Sequence, residues 1–265
     1  MSDYLLGHGA EEWRRLTEQH ALWRETLLPS ARVAGVESGA SVLEVGCGPG
    51  DLLVDLADLV GPTGSVVGIE RDDSAVRVAR ARAADKPWVQ LRVGDVAAAD
   101  LGGPYDVIVA RWVLHLLPRP AEIVKRLASV LVPGGALVVQ DYDHDGLRLF
   151  PRRRSVEACI DAFREAYRAK GADLWVAGRL PRLYADAGLS TERIDPCVRA
   201  GGPESACWRW VERFLFQHLE TVQRSGHIDA TARAEFERDW SEIKDVPGAT
   251  LFTPMQVTVV GRKPI

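Results

Sequence analysis

The sequence predicts an α/β protein built on a doubly wound, mostly parallel seven-stranded sheet with helical cap insertions. Three observations carry this. Short β-branched runs alternate with helical stretches from about residue 41 to residue 141, most of those runs are apolar along their whole length, and Gly or Pro marks the junctions. Continuous apolar strands are those covered on both faces, as in a parallel sheet. With 265 residues, 46% hydrophobic and 26% charged, the chain suits one large folded unit and excludes disorder.

In chain order, Glu12, Arg15, Leu16 and Gln19 recur at helical spacing, so residues 1–35 read as an N-terminal helical segment. Five strands follow at Ser41–Val45, Ser65–Glu70, Val89–Val93, Tyr105–Ala110 and Ala136–Gln140. The segments Asp51–Val60, Asp73–Ala84 and Pro120–Leu131 place apolar residues at helical spacing and stop near Gly61, Pro87 and Pro133–Gly134. Residues 36–142 are therefore the expected binding core. After Asp141 the rhythm breaks into helices at Ser155–Lys170 and Gly178–Ala187, a strand near Thr191–Val198, a helical block over 204–244 and a last strand at Gln256–Gly261. Because the chain returns to strand, residues 143–177 and 203–250 read as caps over the strand ends, within one domain spanning 1–265.

Charge narrows the partners. Against 33 Lys and Arg stand 37 Asp and Glu, a formal net charge of −4, so no bulk basic field exists to hold nucleic acid. Cys47, Cys159, Cys197 and Cys207 are too few and too scattered for a disulfide scaffold or a zinc site. The longest apolar run, Val107–Leu117, is broken by Arg111 and His115 and falls short of the roughly 20 residues of a membrane span. The N-terminus lacks a basic start followed by an apolar stretch, so the expected location is cytoplasmic. A homodimer is left open.

The informative run is Val42-Leu43-Glu44-Val45-Gly46-Cys47-Gly48-Pro49-Gly50-Asp51, a strand delivering its chain through three glycines into a helix. In doubly wound sheets ligands bind at such strand ends, and glycine permits both positive φ and close approach of backbone to ligand. A dinucleotide fingerprint would place a third glycine where Asp51 stands, so that pattern fails. The pattern present is E-x-G-x-G-x-G, and here the chain resembles the class I S-adenosylmethionine-dependent methyltransferases.

The resemblance implies a set of cofactor contacts. Glu44 would lie near the cationic amino end of the methionine moiety, with Gly46, Cys47, Gly48 and Gly50 lining the cofactor. A carboxylate suits a ligand that carries an ammonium and a sulfonium and would repel a pyrophosphate. Glu70, at the end of the second strand and followed by Arg71, would accept the ribose hydroxyls, although an NAD enzyme or a solvated strand end explains a lone acid there equally. In Val93-Gly94-Asp95-Val96, Asp95 would accept the adenine amine and Val96 meet the ring. Arg111 falls in the segment Tyr105–Pro118 that resembles the family's fourth motif, and Leu131–Asp141 resembles the fifth. The stretch Tyr4-Leu5-Leu6-Gly7, with Glu12, Arg15, Leu16 and Gln19, looks like the leader of the ubiquinone- and menaquinone-type and small-molecule methyltransferases, which implies that residues 1–35 form a lid with Tyr4 and Gln19 near the methionine end, unless that helix simply turns its polar residues outward.

Methyl transfer is an in-line displacement that needs alignment, exclusion of water and, for a protic acceptor, removal of a proton. His115 lies a few residues past the fourth strand and belongs to the residue type that titrates near neutrality. It is the candidate base, with packing beside Leu114, Leu116 and Leu117 as the alternative. Asp141 and His144, in the acidic run Asp141–Gly146, would face the acceptor, or else belong to a solvated turn. No metal is assigned: the run mimics the start of a calcium loop, but Arg152 stands where its bidentate Glu is required. Arg152–Arg154 could receive an acidic substrate or be solvated, and Trp13, Trp23, Trp208, Trp210, Phe214 and Phe216 could line an acceptor pocket or fill the cap core. The expected activity is methylation of an O, N or C atom of a small, aromatic or natural-product-like acceptor. The alternatives are a non-catalytic S-adenosylmethionine-binding protein and an NAD-dependent dehydrogenase.

Overall fold

A computed structural model describes residues 9–265. Its first element is a 25-residue helix, α1 (Ala10–Ala34). The alternating part then runs β1 (Ser41–Val45), α2 (Asp51–Val60), β2 (Ser65–Glu70), α3 (Asp73–Arg82), β3 (Val89–Val93), β4 (Tyr105–Arg111), α4 (Pro120–Ser129) and β5 (Leu131–Asp143). The remainder is β6 (Arg148–Phe150), α5 (Arg154–Ala169), α6 (Val176–Asp186), β7 (Ser190–Cys197), β8 (Ala200–Gly201), α7 (Ala206–Arg224), α8 (Ala230–Lys244), β9 (Thr250–Phe252) and β10 (Met255–Arg262).

Seven strands form one sheet in the order β3-β2-β1-β4-β5-β10-β7. The five from β3 to β5 are parallel, and β10 is antiparallel to both of its neighbours. The strand order reverses between β1 and β4, which is where an open α/β sheet leaves a crevice at its carboxyl edge. Successive side chains of a strand point to opposite faces. Hence Leu43, Val45 and Ile108 join the core beneath α4 and α6, while Val42, Val107 and Val109 join the core beneath α1 and α2.

Local chemistry supports the helices. Asp72 caps α3 by accepting from the Ser74 amide, Ser205 caps α7 through the Trp208 amide, and Asp229 caps α8 through the Ala232 amide. Pro120 opens α4, where a missing N–H costs nothing. The caps have their own apolar centre, in which Trp208, Trp240 and Phe236 are fully buried among Val156, Phe163 and Leu219.

Three features depart from the expectations. Of the lid expected over residues 1–35, the structure describes the part from Gly9, and its helix is rooted in the core: Leu27, Leu28, Ala31 and Ala34 are buried beneath the sheet, and only the N-terminal half of α1 reaches toward the crevice. A small sheet in the order β6-β9-β8 joins the two caps, and strands of two or three residues are too short to show a period. Finally, β5 runs to Asp143, because β10 pairs with it as far as Met255↔Asp143. Asp141 and Tyr142 are therefore strand residues, and Asp141 is wholly buried rather than part of a solvated turn. Among the described residues no helix is long and apolar enough to cross a membrane.

Candidate active site

The turn after β1 is tied to β2. The Gly46 and Cys47 amides donate to the Ile69 carbonyl at 2.8 and 3.2 Å, and the Gly48 amide donates to Glu70 Oε2 at 3.1 Å. Gly46, Gly48 and Gly50 all have positive φ, yet for different reasons. A Cβ on Gly46 would collide with Val113, and one on Gly50 would lie 2.8 Å from Ala79 Cβ, where α2 meets α3. A Cβ on Gly48 would meet nothing within 4 Å. Gly46, Cys47 and Gly48 line the crevice, whereas Gly50 does not: it is a packing and capping glycine, contrary to its assignment as a cofactor contact.

Glu44 stands just before this turn, 3% exposed, and lines the cavity. Burial pushes its carboxyl up to about 8, against the opposing pull of Arg111, and its Oε2 has no hydrogen-bond partner. Arg111 ends β4 and stacks over the Trp112 ring at 4.5 Å. Its Nη2 lies 2.9 Å from His20 Nδ1, and His20 Nε2 lies 3.1 Å from Asp55 Oδ2. An arginine can only donate, so Nδ1 is the acceptor and Nε2 carries the proton toward Asp55. Burial pulls the Arg111 guanidinium down to about 10, which still leaves it cationic at neutral pH.

Two clefts meet here. Glu70, Arg71, Asp95 and Val96 line one of about 120 Å³, and it shares Gly46, Glu70 and Trp112 with a second of about 130 Å³ under the caps. Glu70 is braced by the Gly48 amide and, through Oε1, by the Asp72 amide at 2.9 Å. Asp95 is exposed and shapes its own turn by accepting from the Ala97 amide at 2.8 Å. Trp112 divides the clefts. It holds φ at +55°, which non-glycine residues rarely adopt, and is locked by donating from Nε1 to Gln256 Oε1 at 2.6 Å and by stacking on Tyr142 at 6.3 Å.

His115 and His144 both line the cavity under the caps. His115 Nδ1 is 2.7 Å from Asp141 Oδ1, close but without hydrogen-bond alignment, and the His115 amide donates to Asp141 Oδ2 at 3.1 Å. Asp141 does not line the cavity; it stands behind His115. Tyr142 lies edge-on to both imidazoles, at 5.0 Å from His115 and 5.8 Å from His144. Burial, helped by Arg164 and His115, pushes His144 down to about 3, so it is neutral in ordinary buffers.

From α1, Gln19 crosses the cavity. Its Oε1 accepts from Arg15 Nη1 at 2.7 Å and Trp210 Nε1 at 3.1 Å, and its Nε2 donates to the Tyr142 hydroxyl at 3.3 Å. Arg15 is also held by both carboxylate oxygens of Glu12. The aromatic residues divide by role. Trp210 and Phe214 line the cavity, Trp208 fills the cap core, Trp23 packs edge-on to Trp210, Phe216 rests against Phe236, and Trp13 lines neither cleft. Arg152 pairs with Glu157 away from this cavity.

Thus the structure gathers Gln19, Glu44, Gly46, Cys47, Gly48, Glu70, Arg71, Asp95, Val96, Arg111, His115 and His144 along two joined clefts. It sets Asp141 behind one of them and removes Gly50, while Tyr4 lies outside the described residues. Arg15, Trp112 and Tyr142 escaped the site assignment made from sequence. The period-2 alternation of a longer fifth strand would have revealed Tyr142, since Gln140 and Tyr142 share one face and Asp141 the other.

The demethylmenaquinone methyltransferase of Lactococcus lactis is 29% identical over 136 residues, 50% of this chain and 53% of that protein. The chain spans about half the length of the curated relatives it matches. The YcgJ protein of Bacillus subtilis superposes with a TM-score of 0.61 at 16% identity, covering 91% of this chain and 99% of that one. The [4+2]-cyclase SpnF superposes at 0.55 with 17% identity, covering 99% and 85%. At such identities the structural likeness concerns the fold alone. The family model described as Methyltransferase domain matches residues 36–176, which contain the glycine turn, both clefts' strand ends and the His115–Asp141 pair, and the chain belongs to that family.

Proposed function

We propose that the protein transfers a methyl group from S-adenosylmethionine to a small organic acceptor held under the caps. The observation that carries this reading is the unpartnered, buried Glu44 carboxylate oxygen beside the open face of Gly48, at the junction of the two clefts. A buried carboxyl without a partner is costly unless a ligand supplies one. An ammonium group supplies it by drawing the carboxyl into its charged form, which a phosphate would not do. The residues therefore fit the cofactor.

In this reading Glu44, Arg111 and Gln19 surround the amino-acid end, and Gly46, Cys47 and Gly48 give backbone approach. Glu70 and Arg71 face the sugar, and Asp95 and Val96 the base. When bound, the cofactor supplies an electrophilic methyl group on sulfur. The protein's own part is positional. Trp112 separates the clefts, the N-terminal half of α1 and the caps exclude water, and Asp141 orients His115 so that its other ring nitrogen can take a proton from the acceptor. His144 offers a neutral hydrogen bond.

Incubation with methyl-labelled S-adenosylmethionine and a metabolite extract, followed by mass spectrometry, tests this. One or a few compounds should gain the label. Cofactor binding without any labelled product would favour a binding protein instead.

A further inference from the structure

The cavity under the caps differs in chemistry from the crevice it adjoins. Its fixed charges are Arg15, Glu44, Asp51, Glu70 and Arg111. Four of these belong to the glycine turn, the helix after it and the strand ends, and Arg15 is bound to Glu12. The caps contribute only uncharged groups, among them Leu147, Tyr167, Leu174, Val211 and Phe214, and Tyr142 and His144 complete the wall.

An ammonium acceptor would give up its hydration there without meeting a carboxylate from the caps, and a carboxylate or phosphate acceptor would meet no cation from them. A ring suits the walls. Phe214 lies 6.2 Å from Tyr167, and Tyr142 is edge-on to His115, so planar faces and edges surround the space. Around Tyr142 the groups that line the cavity are two imidazoles rather than acids.

We infer that the acceptor is an uncharged aromatic hydroxyl compound, its ring among Tyr142, Tyr167 and Phe214 and its oxygen against His115. This rests on the methyl-transfer reading. Asp141 stands at Nδ1 of His115, which leaves Nε2 as the proton acceptor. The hydroxyl proton passes to Nε2 as the acceptor oxygen bonds the methyl carbon, the carbon–sulfur electron pair stays on sulfur, and the imidazolium later gives its proton to water. The buried Asp141 carboxylate stabilises that imidazolium while it exists. The products are an aryl methyl ether and S-adenosylhomocysteine.

The test is a binding titration of the full chain saturated with S-adenosylhomocysteine, using 4-nitrophenol, nitrobenzene, benzylamine and benzoate. 4-Nitrophenol should bind at least tenfold more tightly than each of the others. In His115→Asn, whose amide can still face Asp141 but has no group at the Nε2 position, the preference over nitrobenzene should vanish while S-adenosylhomocysteine affinity stays. Benzylamine or benzoate binding as tightly as the phenol, an unchanged preference in His115→Asn, or no aromatic binding to the saturated protein would overturn the inference and leave the methyl-transfer reading standing. Failure of S-adenosylhomocysteine itself to bind would instead bring down that reading, and this inference with it.

Discussion

Asp141 reaches His115 twice: one carboxylate oxygen takes its backbone amide at 3.1 Å, and the other lies 2.7 Å from its Nδ1. The backbone contact fixes where the residue stands, and the ring contact sets a carboxylate beside Nδ1. Asp141→Asn keeps the shape and an oxygen for the amide but removes the charge that favours a protonated ring. Methyl transfer should fall by about 10²-fold, the lower end of what a positioned proton acceptor contributes. Single-turnover rates with cofactor affinity as control would check this, and an unchanged rate would remove the pair from the chemistry.

Glu44 predicts proton release on binding. Its carboxyl is raised by burial to about 8, so at pH 7 the free protein holds it mainly protonated. An arriving cation favours the carboxylate, and binding should expel close to one proton. Calorimetry in two buffers of different ionisation enthalpy measures this, and Glu44→Gln should abolish it. The same shift sets a stability trend. Between about pH 4.5 and 8 the folded state binds more protons than the unfolded state, so this group's contribution to stability declines as pH rises through that window. Glu44→Gln should therefore raise the melting temperature at pH 8 more than at pH 4.

The three glycines of the turn should respond differently to alanine. Gly50→Ala places a Cβ 2.8 Å from Ala79 Cβ and 2.9 Å from its Cα, and Gly46→Ala collides with Val113. Each should lose about 1–3 kcal/mol from overpacking, in addition to left-handed strain. Gly48→Ala has open space and should lose only the strain, about 1–2 kcal/mol, yet weaken cofactor binding most for its stability cost. Chemical denaturation and calorimetry on the three variants separate these outcomes.

Two aromatic residues of α7 divide in the same way. Trp208 is fully buried in the cap core, and Trp208→Ala should cost about 3–5 kcal/mol. Phe214 faces the cavity, so Phe214→Ala should raise the KM for the acceptor more than it lowers the melting temperature. Equal stability losses in both would contradict this division.

Much of the core was legible because its determinants are local. The runs at Ser41–Val45, Ser65–Glu70 and Val89–Val93 match their strands residue for residue, since apolar continuity in the first two, period-2 alternation in the third and Gly or Pro nearby are local signals. The glycine turn likewise carries its own signal. What escaped depends on distant partners. Tyr142 is a strand residue only because β10 pairs there. Gly50 is a packing glycine only because Ala79 comes near, and Trp210 differs from Trp208 only through the helices around them.

The helix α1 stays helical from Ala10 to Ala34 even past Pro29, the internal position where a kink is expected, and at 1.5 Å per residue its 25 residues span roughly 37 Å. One end is sunk beneath the sheet and the other carries Gln19 across the ligand space. A rod anchored in this way cannot swing aside without levering out Leu27 and Ala31. Entry of small molecules would then involve the α7 side, where Trp210 and Gln217 grip the rod through side-chain hydrogen bonds, Trp210 also packs edge-on to Trp23, and Arg213 pairs with Glu18. Engineering aimed at larger guests would do better to loosen that grip than to trim the rod, because trimming sacrifices the foundation with the roof.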